Sequence, residues 1–205
     1  MVIEIILWLF LLLLLGYLFD KYIKWYLFPK RWGVVEANAI FRSGQLTPIQ
    51  FKKQVKKCNI DVIVSLLDPL PGNVNYEGEQ KIIKENGIEQ FVYPLLGDGT
   101  GDIFQYASAI CKLHECVRNG KVVLIHCAAG TQRTGGVVAS YRILVQGKSP
   151  IEAVHEMKRY GWRWHKNPIL IPFINDHLNQ LEDLLIQRNI LDRASHPMPV
   201  LPTKI

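Results

Sequence analysis

The ten residues His126-Cys127-Ala128-Ala129-Gly130-Thr131-Gln132-Arg133-Thr134-Gly135 gather a thiol, a guanidinium and a hydroxyl into one short segment. The apolar run 121–125 precedes them and 136–141 follows, so the spacing predicts a buried strand, a tight loop and a helix. A helix that opens on such a loop traps anions, because its first N–H groups lack partners inside the helix and its dipole adds positive charge there. Arg133 adds a planar fork of donors that fits two phosphoryl oxygens. Cys127 then lies on the floor of the cradle, where a thiolate is stabilised and its pKa is expected in the range of roughly 3.5 to 7.5. Ala128, Ala129, Gly130, Thr131, Gln132 and Arg133 are thus expected to bind a phosphate, and Cys127 to attack it. A cysteine that merely ends a buried strand is the plainer alternative, but strand, His-Cys, glycine, Arg-Thr and helix fall in the order the chemistry needs.

The rest of the chain must position this loop. Strands are expected at 39–43, 61–67 and 88–95, and helices at 49–57, 76–85, 103–118, 151–160 and from Pro168 to about residue 188. Thr47-Pro48 and Ser149-Pro150 read as helix starts, and 68–72, with two prolines and a glycine, stops the second strand. Residues 29–35 read as a linker, 97–102 as a flexible loop, and the proline-bearing end as disordered. Alternating strands and helices predict an α/β domain with a mostly parallel central sheet flanked by helices, and the Cys127 loop at a strand's carboxyl end, where such sheets bind ligands.

Cys127, five residues, Arg133 and Thr134, with His126 before and Gly130 between, resembles the signature of the cysteine-dependent protein tyrosine and dual-specificity phosphatases. The resemblance implies a phosphotyrosine protein phosphatase-like fold and hydrolysis through a phosphocysteine, without metal or cofactor. It also implies roles: Thr134 helps the thiolate leave in the second step, and His126 supports the loop and tunes the thiolate. Displacement requires an acid for the leaving oxygen, and Asp98 and Asp102 are the candidates. In the dual-specificity enzymes the acid precedes a helix that often begins Asp-Ile. Asp102-Ile103 looks like that start, which favours Asp98 as the acid and leaves Asp102 as an N-cap.

Two further stretches widen the resemblance. Phe41-Arg42-Ser43-Gly44-Gln45 is similar to the Arg-Ser-Gly-Gln opening of bacterial atypical members, where Arg42 would knit loops together. Tyr160-Gly161-Trp162-Arg163-Trp164 is similar to a Gly-x-x-Trp segment of plant and fungal members. Departures bear on substrate: the loop lacks the lysines of phosphoinositide phosphatases and the Arg and Lys of inositol-pyrophosphate phosphatases. A single phosphate on protein, on tyrosine and also on serine or threonine, is therefore the expected target. A phosphoinositide or inositol phosphate is the alternative, with Arg163, Lys166 or the cations between Lys21 and Arg31 reaching it in space. Sulfur transfer on a rhodanese-like loop and a non-catalytic phosphate-binding adaptor are the remaining readings. Neither requires Cys127, Arg133 and a loop aspartate together.

The chain has 205 residues, a formal charge of +6 and four cysteines, Cys58, Cys111, Cys116 and Cys127. These are too scattered for a disulfide framework and form no zinc pair, which suits a reducing compartment. The charge forms no basic block interleaved with aromatics, so no nucleic-acid partner is expected. Residues 2–19 are nearly all apolar and would extend roughly 27 Å as a helix, about the thickness of a hydrocarbon core. With Glu4 near the outer end and no basic start, they read as an uncleaved membrane span. Lys21, Lys24, Lys30 and Arg31, with Tyr22, Trp25 and Tyr26 among them, place the remainder in the cytoplasm. The expected organisation is an anchor and juxtamembrane segment at 1–28, a catalytic domain at 29–190 and a tail at 191–205.

Overall fold

A computed structural model describes residues 2–192 and 197–203. Helix α1 (Val2–Leu18) continues through a π-helical turn (Phe19–Ile23) into the short α2 (Lys24–Leu27). Within Ile3–Ile23 the most apolar eighteen-residue stretch has a mean hydropathy of 2.2, and none of it is buried against the rest of the chain. Ile3–Ile23 is the one helix among the described residues long and apolar enough to cross a membrane, extending about 32 Å.

The remaining elements alternate as β1 (Gly33–Glu36), β2 (Ile40–Gly44), α3 (Pro48–Cys58), β3 (Val62–Ser65), α4 (Val74–Asn86), β4 (Glu89–Val92), α5 (Ile103–Arg118), β5 (Val123–Cys127), α6 (Gln132–Ser140), α7 (Pro150–Arg159) and α8 (Leu170–Gln187). They build a mixed sheet in the order β1-β2-β5-β3-β4, parallel except at the β1–β2 edge. β5 is the central strand, in register with Gly44 at Cys127 and with Ser65 at His126. The loop after Cys127 therefore leaves the carboxyl edge between two neighbouring strand ends, the crevice where parallel sheets take ligands.

The pleat decides which neighbours each site residue meets. Ile40, Val62, Val64, Val123, Ile125 and Cys127 face the larger core beneath α5, α6, α7 and α8, whereas Phe41, Ile63 and Leu124 face a smaller core beneath α3 and α4. By that alternation Arg42 points to the α7 side and His126 to the α4 side. Ile125 and Ile63 are fully buried, each contributing about 2 kcal/mol of transfer free energy to holding the sheet flat against its helices. Helix starts are set by local chemistry: Thr47 and Ser149 form capping boxes with Gln50 and Glu152, and Asn73 and Asp102 cap α4 and α5.

Three expectations are corrected. Residues 33–35 of the expected linker belong to an edge strand that runs to Glu36, because Gly33 and Val34 pair with Arg42 and Phe41. The loop 97–102 is fastened: Tyr106 Oη donates to the Gly99 carbonyl, Asn167 Nδ2 to the Asp98 carbonyl, and Leu96 N to the Thr100 carbonyl at 2.9 Å. The disordered tail falls partly on 193–196 and 204–205, outside the described residues. Over 197–203, however, Leu201 is 1% exposed in the larger core. Its N–H donates to Asn175 Oδ1 at 2.9 Å and its carbonyl accepts from Asn175 Nδ2 at 2.8 Å.

Candidate active site

Cys127 ends β5 with 1% of its surface exposed, and the Gly130 N–H donates to its Sγ at 3.1 Å. Burial pushes this thiol up. The Thr134 hydroxyl and N–H, the Arg133 guanidinium and the Gly130 N–H outweigh that and hold it below its usual range. The Thr134 hydroxyl is itself buried without a hydrogen-bond partner, and the Cys127 sulfur is the group its influence falls on. Helix α6 starts at Gln132, and its N-cap, Thr131, makes no side-chain cap. The hydroxyl of Thr131 is instead turned to the Tyr160 carbonyl at 3.3 Å. The first-turn N–H groups of α6 are thus not taken up by the capping residue.

Arg133 Nη1 lies 3.5 Å from the carbonyl oxygens of Leu66 and Leu95, at the ends of the β3 and β4 segments, and its Nε is buried without a partner. These long contacts hold the fork weakly and leave donor capacity for an anion.

The loop is buttressed from behind by the Arg42–Gln45 segment. Arg42 is fully buried, donates from Nη2 to the Gly130 carbonyl at 3.1 Å and from Nη1 to Glu156 at 3.2 Å, and lies 4.0 Å from the Tyr160 ring centroid. Gln45 N donates to the Ala128 carbonyl at 3.2 Å. Gly130 has φ +73°, and a Cβ there would lie 2.5 Å from Gly44 N, so the left-handed turn and the contact with β2 both demand glycine. Arg42 knits loops together, as the resemblance implied.

His126, on the other face, meets Glu79 of α4: Nε2 and Oε1 are 3.3 Å apart, and both side chains are buried. Burial alone would lower the imidazole, but the Glu79 carboxylate, together with Cys127, outweighs it and holds His126 above its ordinary value. Glu79 was not singled out from sequence, although its place one turn before Ile82 and Ile83 on the buried face of α4 was a signal.

The two acid candidates separate by what they hold. Asp102 caps α5, its Oδ1 accepting from Phe104 N at 2.8 Å, and it lines an open cleft of about 350 Å³ with Asp68 and Leu96. Asp98 is exposed, with Oδ1 fixed by the Thr100 N–H at 2.9 Å and hydroxyl at 2.7 Å. A Cβ on the adjacent Gly99 would lie 3.0 Å from the Gln132 backbone, so the Asp98 loop rests on the start of α6. Tyr106 spans the two, its hydroxyl on the Gly99 carbonyl and against Gly136 of α6, and burial, with the charges of Asp98 and Cys127, holds its phenol well above the usual range.

Arg31, outside every motif, also reaches the loop, and Lys30 beside it meets Gly44 of β2 next to the loop. The Lys30 carbonyl accepts from Gly44 N at 2.7 Å, and Arg31 Nη1 donates to the Ala129 carbonyl at 2.7 Å.

The fold recurs in solved structures. The core catalytic domain of the S. cerevisiae PP-IP phosphatase SIW14, crystallised with citrate, is 19% identical with a TM-score of 0.61, over 80% of this chain and 95% of that one. P. aeruginosa TpbA, a cysteine-to-serine form holding phosphotyrosine, is 19% identical with a TM-score of 0.58, over 75% and 94%. PTPMT1 in complex with PI(5)P is 19% identical with a TM-score of 0.55, over 80% and 99%. No curated protein sequence matches the chain. Residues 42–148 match the family described as polymorphic toxin system, DSP-PTPase phosphatase. That match runs from the buttressing arginine through the Cys127 loop and covers just over half of the sequence, and the chain belongs to this family of phosphatases.

Proposed function

We propose that the phosphatase acts through a phosphocysteine formed on Cys127. The thiolate attacks phosphorus in line, a sulfur–phosphorus bond forms as the ester P–O bond breaks, and Asp98 passes its proton to the leaving oxygen. Ala128, Ala129, Gly130, Thr131 and Gln132 offer backbone N–H groups, and Arg133 its fork, to the equatorial oxygens as charge builds there. In the second step Asp98 takes a proton from water, which attacks phosphorus; the S–P bond breaks and the Thr134 hydroxyl donates to the departing thiolate. His126, held by Glu79, fixes the strand end from which Cys127 projects. The products are an alcohol or phenol and inorganic phosphate.

The observation that carries this reading is the placement of the Cys127 sulfur, 3.1 Å from the Gly130 amide and beside Thr134 and Arg133, at the carboxyl end of the central strand. Residues 29–190 form the catalytic domain, and residues 1–28 are its single-pass membrane anchor, with the domain on the cytoplasmic side where the cysteines stay reduced. Phosphotyrosine, with phosphoserine and phosphothreonine, suits a loop that carries no cation between Cys127 and Arg133. A phosphoinositide or inositol phosphate is the second reading, favoured by the approach of Lys30 and Arg31 to that loop.

Hydrolysis of p-nitrophenyl phosphate by the full chain in detergent tests the chemistry: turnover is expected from the wild type and lost in Cys127→Ser. Equal turnover by both proteins overturns it. Retention with membranes after a high-salt wash is expected of a spanning anchor, and release by salt alone contradicts one.

A further inference from the structure

The phosphate loop supplies one cation, Arg133, and yet two more are carried to its edge by the segment that leaves the apolar helix. Lys30 is placed by its own carbonyl, which accepts from Gly44 N at 2.7 Å, and Gly44 is in register with Cys127. A Cβ on Gly44 would lie 3.0 Å from Lys30 Cδ, so the lysine stem runs along the missing side chain of that glycine. Arg31 adopts φ +50°, a conformation that costs an arginine roughly 1 kcal/mol or more. In that conformation its Nη1 reaches the Ala129 carbonyl at 2.7 Å. Space for it comes from Gly161, at φ +95°, where a Cβ would lie 2.9 Å from Arg31 Nε. Three segments distant in sequence are thus shaped around two cationic stems.

The surroundings are cationic. Half-burial lowers both groups; Arg31 pushes Lys30 down further, and Arg163 does the same to Arg31. The anion that opposes this in both cases is Cys127. Neighbouring cations that repel each other at the mouth of an anion-binding loop are stabilised by an anion between them.

We propose that Lys30 and Arg31 form a second anion subsite at the rim of the phosphate loop, which within the second reading above selects a polyol bearing a second phosphate beside the one cleaved. This rests on the phosphocysteine reading above, and it supplies from the juxtamembrane segment the positive charge that Ala128, Ala129, Thr131 and Gln132 do not. The shared chemistry is a bisphosphorylated headgroup, free or on a lipid. A segment leaving a membrane-spanning helix is well placed to meet the lipid form.

The test measures kcat/KM of the full chain in detergent for p-nitrophenyl phosphate, a phosphotyrosine peptide and a soluble inositol bisphosphate. The same headgroup is then presented as a lipid in phosphatidylcholine vesicles to the chain in liposomes. Lys30→Gln, which leaves the Arg31–Ala129 bond in place, and Arg31→Gln are compared with the wild type, with melting temperature followed for each. The ratio of kcat/KM for bisphosphate over phosphotyrosine peptide is expected to fall roughly tenfold or more in Lys30→Gln, the loss of one charge-assisted bond. A fall in both bisphosphate arms assigns the subsite to the headgroup itself, and a fall in the vesicle arm alone assigns it to the lipid form. An unchanged ratio, even with lower rates throughout, makes the pair a clasp for the loop and overturns the proposal. If no substrate is turned over by the wild type, the phosphocysteine reading fails instead. The subsite is then judged by calorimetric binding of the bisphosphate to Cys127→Ser with and without Lys30→Gln, where equal affinity overturns it.

Discussion

The guanidinium of Arg42, buried completely, donates to the carbonyl oxygen of Gly130 at 3.1 Å. Through this bond the first long strand grips the middle of the phosphate loop, and Glu156 of α7 neutralises the charge that does the gripping. Arg42→Met is expected to lose about 3 kcal/mol of stability, since it strips a buried partner from Glu156 and from the loop carbonyl. Because Arg42 is a positioning residue, vanadate affinity is expected to fall together with kcat, while Arg42→Lys recovers stability better than affinity. Denaturant unfolding and vanadate inhibition check this; unchanged vanadate affinity in Arg42→Met would separate the bond from the loop's shape.

Gly130 is where the loop has least freedom to vary. Gly130→Ala combines a left-handed residue, costing about 1–2 kcal/mol, with a Cβ only 2.5 Å from Gly44 N. The loop must move off β2, so turnover is expected to fall by far more than stability does. Circular dichroism and p-nitrophenyl phosphate kinetics on one preparation test the split, and wild-type kcat would show that the contact is not needed.

Asp98 and Asp102 make different predictions. Asp98→Ala is expected to reduce kcat by about 10²–10⁴, most for leaving groups of high pKa. Asp102→Ala is expected to cost about 1 kcal/mol of stability through the lost cap, with the leaving-group dependence intact. A Brønsted series of aryl phosphates reads this directly. If its slope steepens in Asp102→Ala and not in Asp98→Ala, the roles are exchanged.

The buried Glu79–His126 pair links the site to pH. Since Glu79 raises His126 above its unfolded value near 6.5, the pair's stability is fully present below that value and is lost as pH rises through the folded pKa. Glu79→Gln should therefore be most destabilising near pH 5.5, and the difference from wild type should shrink near pH 9. Less positive charge beside Cys127 is also expected to move the acidic limb of kcat/KM upward. A difference in stability that does not vary with pH would deny the pairing.

Much of this site was legible in the sequence because its parts are local. Cys127, Arg133 and Thr134 lie on one strand-loop-helix unit, and helix α5 begins and ends where its pattern and Asp102 cap said it would. What escaped was set by packing between distant segments. Gly33 and Val34 look like linker until β2 offers an edge, and Leu201 reads as tail until Asn175 presents both halves of an amide to its backbone. Glu79 and His126 meet only because strand parity turns residue 126 toward α4. Lys30 and Arg31 read as membrane-flanking charges able to meet an anionic substrate; their contact with the loop itself was not legible, because it depends on glycines at 44 and 161 that clear space for them.

The central claim is a covalent bond between phosphorus and the Cys127 sulfur, and rapid acid quench during turnover of an aryl phosphate, followed by peptide mass spectrometry, addresses it directly. One phosphoryl group on the peptide containing Cys127 is predicted, accumulating further in Asp98→Asn, where the attacking water loses its base, and absent from Cys127→Ser. Steady turnover with no phosphoryl adduct in either wild type or Asp98→Asn, or an adduct on another residue, would contradict it.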